Sequence, residues 1–231
     1  MPRTSTPRGD VAKERILQHA IQIFSQRGFD GFTTRELSSK AKVNIAAINY
    51  YFGHKQGLYD AAVDEVYRRL KDRGNQIFAT EVAPRLFASV TQNGVAQKIG
   101  AEQVRYIVTR VYQVARQEAA GVRLIIRQVL DAGHLPAQSE NSYFLPGTEM
   151  AAGVIGSTLG ITSERARLNI VAFGFLLSRY VVQDEKSLMT AFGCITPADA
   201  EQRIVDSLMV TINGGALDGF AGAAGTQSLL E

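Results

Sequence analysis

The stretch from Thr33 to Lys55, TTRELSSKAKVNIAAINYYFGHK, constrains the fold of this 231-residue chain more than any other. Thr33 and Glu36 form a capping-box pattern, in which the Thr hydroxyl accepts from the Glu36 amide and the Glu carboxylate reaches back to the Thr amide. The spacing predicts a helix from Thr34 through Leu37 to about Ala41. Lys42 and Val43 then make a turn, and Asn44 supplies a side-chain oxygen to cap a second short helix. In that helix Ile48 and Phe52 stand four apart with Val43 just ahead, enough apolar area for one docking face. The opposite face carries Ile45, Ala46, Asn49 and Tyr50. No acidic residue lies between Glu36 and Asp60. Small or flat groups with one amide and one phenol can approach a polyanion and still meet base edges, since an Asn amide pairs with adenine and a methyl meets the thymine methyl. Taken alone, the same two helices also suit an ordinary helical domain.

Charge along the chain bears on that choice. Residues 1–56 hold nine Lys/Arg against four acids, a net of +5, while the whole chain carries +3. A basic head on a slightly acidic body suits a head that meets a polyanion and a body with another task. A hydrophobic content of 45% is ample for a core in one or two compact domains. Cys194 is the only cysteine, so no intrachain disulfide forms, and the opening MPRTSTPRGD lacks the apolar core of a signal peptide. A cytoplasmic location is expected. The apolar run from Leu168 to Leu177 is bounded by Arg165, Arg167 and Arg179 and is too short to span a bilayer, so no membrane role is expected.

The rest reads as helix throughout, since no strand-type alternation of useful length occurs. The fold class is therefore all-α. Residues 1–9 read as a flexible arm, with Arg3 and Arg8 either lying along a groove or belonging to an inert tail. Asp10 is placed to cap a first helix whose buried stripe is Ile16, Leu17, Ala20, Ile21 and Phe24, and Gly28 ends it. A long helix runs from about Lys55 to Arg73, and in its first turn the Lys55 ammonium and free amides can hold a phosphate. Further helices fall near Ala83–Gln92, Ala101–Gln117, Gly121–Ala132, Pro146–Leu159, Glu164–Val182 and Ala198–Ile212. Loops fall at Gly74-Asn75, Asn93-Gly94, Gly133–Gln138, Gly160–Ser163 and Gln183–Pro197, the last with a helical turn around Ser187–Phe192. Gly153, Gly156, Gly160 and Gly174 mark expected close helix approaches. Residues 213–231, rich in Gly and Ala, read as a flexible tail. The domains are thus 10–56 for the head and 57–212 for the body.

The helix SERARLNIVAFGFLLSRYVV is apolar round most of its circumference, more than a monomer's surface helix exposes. Leu168, Val171 and Phe175 of this helix, with Ile204, Leu208 and Ile212 of the next, suit half of a four-helix bundle across a two-fold axis. No metal, cofactor or catalytic site is expected. His19, His54 and His134 have no ligand-spaced neighbours, and no nucleophile elbow, Gly-rich phosphate loop or metal-paired acid occurs.

From about Lys13 to Tyr59 the chain resembles the TetR family of bacterial transcriptional repressors. The matching elements are AKERILQHAIQIFSQRGFDGF, the pair Thr33-Thr34 and the run VNIAAINYYFGHKQGLY, the last being the specific part. Two residues depart from the family pattern. Lys42 stands where glycine is usual, which asks a lysine to take a positive φ, and Ser38 stands where alanine is usual. The segment from Arg165 to Ile212 also looks like the C-terminal part of many members. The resemblance implies a three-helix DNA-binding head with the third helix in the major groove. Carried onto this chain, it implies phosphate contacts at Thr34, Arg35, Tyr51 and Lys55. The reading face is then Asn44, Ile45, Ala46, Ala47, Asn49 and Tyr50. It further implies a homodimer on a double-stranded operator, and a cavity for a small hydrophobic or amphipathic effector among Phe87, Tyr106, Arg110, Tyr112, Met150 and Phe173. The implied function is a repressor released from a palindromic operator by that effector. Activation, ligand-independent DNA binding and, with no catalytic residues behind it, a helical enzyme or carrier are the other readings.

Overall fold

The computed structural model describes residues 7–84 and 100–213, and every regular element among them is helical. In chain order the helices are α1 (Pro7–Arg27), α2 (Thr34–Ala41), α3 (Ile45–Phe52), α4 (Lys55–Ile77), α5 (Ala101–Gln117) and α6 (Ala119–Ala132). After them come α7 (Leu145–Leu159), α8 (Ser163–Val182), α9 (Glu185–Phe192) and α10 (Pro197–Ile212). The chain divides into two compact units. One comprises the chain to Arg73 together with Gln117–Leu145, and the other Gly74–Arg116 with the chain from Pro146 onward. The first unit, the head, thus takes in α4 as far as Arg73 and the whole of α6.

In the first unit α1 begins at Pro7, so Asp10 lies inside the first turn rather than capping it. Proline is well placed there, since its missing N–H would have had no helical partner. Gly28 ends α1 with φ +72°. The buried core joins Ile16, Ala20 and Phe24 of α1 to Leu37, Ile48, Leu58, Val63, Val66 and Leu124. Phe24 stacks at a tilt on Phe32, 4.5 Å between ring centres, and meets Tyr59 edge-on at 4.7 Å. Burial, with Asp131 nearby, pushes the Tyr59 phenol up to about 12, against a smaller lowering by Arg127. Helix α6 locks onto this core at two points. A side chain at Gly121 would stand 2.7 Å from Val66 Cγ1, so only glycine permits this approach to α4. Arg127 donates from Nε to the Ser25 carbonyl at 3.1 Å and from Nη2 to the Gln26 carbonyl at 3.3 Å. These carbonyls lie in the last turn of α1, where helical partners run out and a cation is favoured.

Helix α4 runs straight through Gly74 and Asn75 and continues into a π-type turn, Phe78–Val82, where a loop had been expected. One glycine costs a helix about 1 kcal/mol relative to alanine, too little to break a run of good formers on both sides. Before Gly74, Arg73 donates to Gln117 at 2.7 Å and pairs with Glu118 at 3.1 Å, tying α4 to the start of α6. After Gly133 the loop is shorter than expected. Helical turns resume at Ala137, with a π-type turn over Glu140–Phe144 leading into α7. The expected helix from Ala83 lies outside the described residues beyond Pro84, as do the loop at Asn93-Gly94 and the tail from residue 214.

In the second unit α8 and α10 form an antiparallel pair. Thr162, Asp184 and Thr196 cap α8, α9 and α10 by accepting from the amides of Arg165, Ser187 and Asp199. The buried Asn169 donates to the Ile212 carbonyl at 3.0 Å, and Tyr180 shares a hydrogen bond with Ser207 at 2.9 Å. Helix α5 is tied to the pair by Arg105–Asp206 and by Gln113–Glu201, and Arg116 donates to the carbonyls of Val181 and Gln183 at the end of α8.

Two expectations about this unit are corrected. Ile204, Leu208 and Ile212 are 1%, 0% and 7% exposed. They face the interior of their own chain, because that stripe of α10 is what α8 covers, and so they are not available to a partner. Leu168, Val171 and Phe175 are 58%, 40% and 68% exposed. Of the glycines taken as close approaches, only Gly156 has near neighbours, the Ile161 carbonyl and Ala166 Cβ. Gly153 and Gly174 face open space, and Gly160 has open space and φ +68°.

Candidate nucleic-acid interface

Thr33 begins α2 in extended conformation and accepts from the Glu36 amide at 3.2 Å. The reciprocal half of the expected box is replaced. The Glu36 carboxylate takes Arg27 at 2.9 Å and Lys40 at 3.2 Å, tying the start of α2 to the end of α1. Lys42 adopts the left-handed conformation, φ 52° and ψ 49°, as its place in the turn required. Its neighbours explain how a lysine is held there. The Val43 amide donates to the Ser38 carbonyl at 3.1 Å, and Ser38 Oγ donates back to the Val43 carbonyl at 2.6 Å. The serine at position 38 thus closes the turn across which Lys42 is strained, so the two departures from the family pattern act together.

Asn44, an exposed residue, caps α3 with Oδ1 accepting from the Ala46 amide at 2.9 Å. Ile48 and Phe52 are buried, while Ile45, Ala46, Asn49 and Tyr50 are exposed, Tyr50 by 66%. Ala47 and Tyr51 are half-buried, and the Tyr50 and Tyr51 rings meet edge-on at 5.3 Å. The face that sequence spacing assigned to the outside is therefore outside.

Helix α4 starts hard against the end of α3, because a side chain at Gly57 would stand 2.3 Å from the Phe52 carbonyl oxygen. His54, given no role by sequence, caps α4 with Nδ1 accepting from the Gly57 amide at 3.1 Å. Its position just before the first helical residue was the available signal. Lys55 follows, its Nζ 4.4 Å from the centre of the Phe29 ring and 5.8 Å from that of Phe32. Among the described residues no carboxylate pairs with Arg35, Lys42 or Lys55, whereas Arg27 and Lys40 are both engaged by Glu36. The outcome is an exposed, acid-free helix with cations beside it whose donors point to no protein acceptor.

The residues expected to line an effector cavity are less gathered. Phe87 lies outside the described residues. Arg110 forks onto Glu81, Nε and Nη2 each 2.9 Å from a carboxylate oxygen, and the Tyr106 hydroxyl donates to the same carboxylate. Tyr112 is buried on another face of α5, Phe173 is half-buried, and Met150 is 67% exposed. No described helix is long and apolar enough to cross a membrane.

Residues 16–62 match the family model described as bacterial regulatory proteins, tetR family. The HTH-type transcriptional regulator YttP of Bacillus subtilis is 44% identical over 55 residues, covering 24% of this chain and 27% of that protein. The HTH-type transcriptional dual regulator CecR of Shigella flexneri is 36% identical over 81 residues, covering 32% of this chain and 36% of that protein. The chain thus spans only about a quarter to a third of these relatives. Over nearly its full length it shares the fold of a chain from Mesorhizobium loti solved as a TetR-family transcriptional regulator. That likeness has a TM-score of 0.59 at 16% identity and covers 90% of this chain and 98% of the other. Residues 16–62, with the capped α2–α3 turn inside them, thus match the tetR family of bacterial regulatory proteins, and the chain shares the helical fold of that solved structure.

Proposed function

We propose that this protein is a DNA-binding transcriptional regulator, a cytoplasmic homodimer that represses from a palindromic operator and is released by a small hydrophobic or amphipathic effector. The observation that carries the reading is the outer face of α3, exposed and free of acids, with Arg35, Lys42 and Lys55 unpaired around it. Inserted in a major groove, Ile45, Ala46, Asn49 and Tyr50 would meet base edges, the side-chain amide of Asn44 would donate at the rim, and Ala47 would pack close to the backbone. Thr34, Arg35, Tyr51 and Lys55 would hold phosphates and fix the helix in register. Two such helices reach successive major grooves when their centres are about 34 to 36 Å apart.

The partner copy is expected on the exposed stripe Leu168, Val171 and Phe175 of α8, not on the buried stripe of α10. An effector that prefers one arrangement of the dimer over another would shift the population away from the operator-competent form, provided its affinities for the two differ. The Glu81–Arg110–Tyr106 group supports a polar anchor in such a site. Occupying an operator excludes other proteins from it, which favours repression as the outcome.

Lys55→Ala tests the reading. It should weaken binding to every duplex alike and flatten the dependence of log affinity on log salt by about one unit. Selection of bound sequences from a random DNA pool should return a two-fold symmetric site. An unchanged salt dependence, together with no enriched sequence, would refute the groove-facing role of α3.

A further inference from the structure

We infer that Phe29, in the α1–α2 loop, is a positioning residue for DNA contact: its ring face holds the Lys55 ammonium in place to meet a phosphate. The inference rests on the proposed role of Lys55 as a phosphate contact. Lysine is a poor fixed anchor by itself, since its four-carbon stem is flexible and its charge is a rotatable point. In this chain the Nζ lies 4.4 Å from the Phe29 ring centre, with the Phe32 ring at 5.8 Å. That is within the range where a cation is attracted to the face of an aromatic ring. A ring face engages the charge without accepting a conventional hydrogen bond. Because no described carboxylate pairs with Lys55, its N–H donors stay available to an outside anion.

The platform is itself packed against the core. Phe29 meets Tyr59 edge-on, 5.3 Å between centres and 86° between planes, and Tyr59 is buried against Phe24. Phe32 is buried and stacked on Phe24. The cation therefore rests on an aromatic group rooted in the core of the head. Gly57 brings the first turn of α4 against the end of α3, which puts that cation beside the face read as groove-facing.

The test uses the full chain and a short duplex of random sequence. Phe29→Leu should weaken binding about two- to fivefold, the range expected from an exposed cation–π contact. The slope of log affinity against log salt should stay unchanged, because no charge is lost. The same substitution on a Lys55→Ala background should have little further effect, and Phe29→Tyr, which keeps a ring face, should bind like the parent. In the NMR spectrum of the DNA-free parent, the ε-methylene protons of Lys55 should be displaced upfield by the ring, and Phe29→Leu should abolish most of that displacement. Equal losses in both backgrounds, or ε-protons at ordinary positions in the parent, would make Phe29 plain core and overturn the inference while leaving the Lys55 reading intact. An unchanged salt dependence in Lys55→Ala would sink both. The parent spectrum settles the point even if Phe29→Leu does not fold.

Discussion

The two units of this chain treat their apolar side chains in opposite ways. In the head, Ile16, Phe24, Leu37, Leu58, Val63, Val66 and Leu124 close around one another, and the apolar groups left exposed on α3 sit on the face read as groove-facing. In the unit built on α8 and α10, the core stripe of α10 is buried just as fully, yet Leu168, Val171 and Phe175 stand exposed at three- and four-residue steps along α8. The head is finished within one copy. The other unit carries an exposed apolar stripe, which the proposed dimer would bury.

Two substitutions can break this comparison. Phe24→Ala removes a fully buried ring that touches Phe32 and Tyr59, and should cost about 3 to 5 kcal/mol. Urea unfolding should show the loss, and a head that tolerated it would not be self-contained. Phe175→Glu should leave folding of the single copy nearly unchanged, because that side chain projects into solvent. It should weaken self-association by at least about 2 kcal/mol, the scale of an interface hot spot. Sedimentation over a concentration series would read it. Dimers as tight as the parent's would place the interface elsewhere and leave the stripe unexplained.

The same contrast sets how much was legible from sequence. Short-range signals were reliable where one residue type performs one local task. Thr33, Asn44 and Gly28 punctuate helices as read, because a cap or a positive φ depends on only a few neighbours. Ile48 and Phe52 face inward and Asn49 and Tyr50 outward for the same reason. Legibility failed where two stripes competed. Helices α8 and α10 each offer apolar residues on more than one face, and periodicity cannot say which face a neighbour in the same chain will take. Ile204, Leu208 and Ile212 were assigned to a partner when α8 already covers them. The glycines misled likewise, since Gly57 and Gly121 sit at the tightest approaches while Gly153 faces open space. His54 and Phe29 went unread because their importance lies in what stands across a turn or loop from them.

Asn44→Asp sharpens the comparison with the smallest expected change in stability. Asn44 caps α3 through Oδ1, and an aspartate retains that oxygen. A negative charge at a helix start is favourable, so the head should gain about 0.3 to 1 kcal/mol at low salt. The substitution also sets an acid beside the one helix of the head that has none, where it would repel phosphates and remove the side-chain amide. DNA affinity should therefore fall while the unfolding midpoint stays level or rises. Opposite movement of the two measurements separates a surface used for a ligand from a surface used for folding, which core substitutions in the same unit cannot do. If affinity and stability moved together, α3 would be a packing element and the head would resemble the other unit in needing its surface to stay folded.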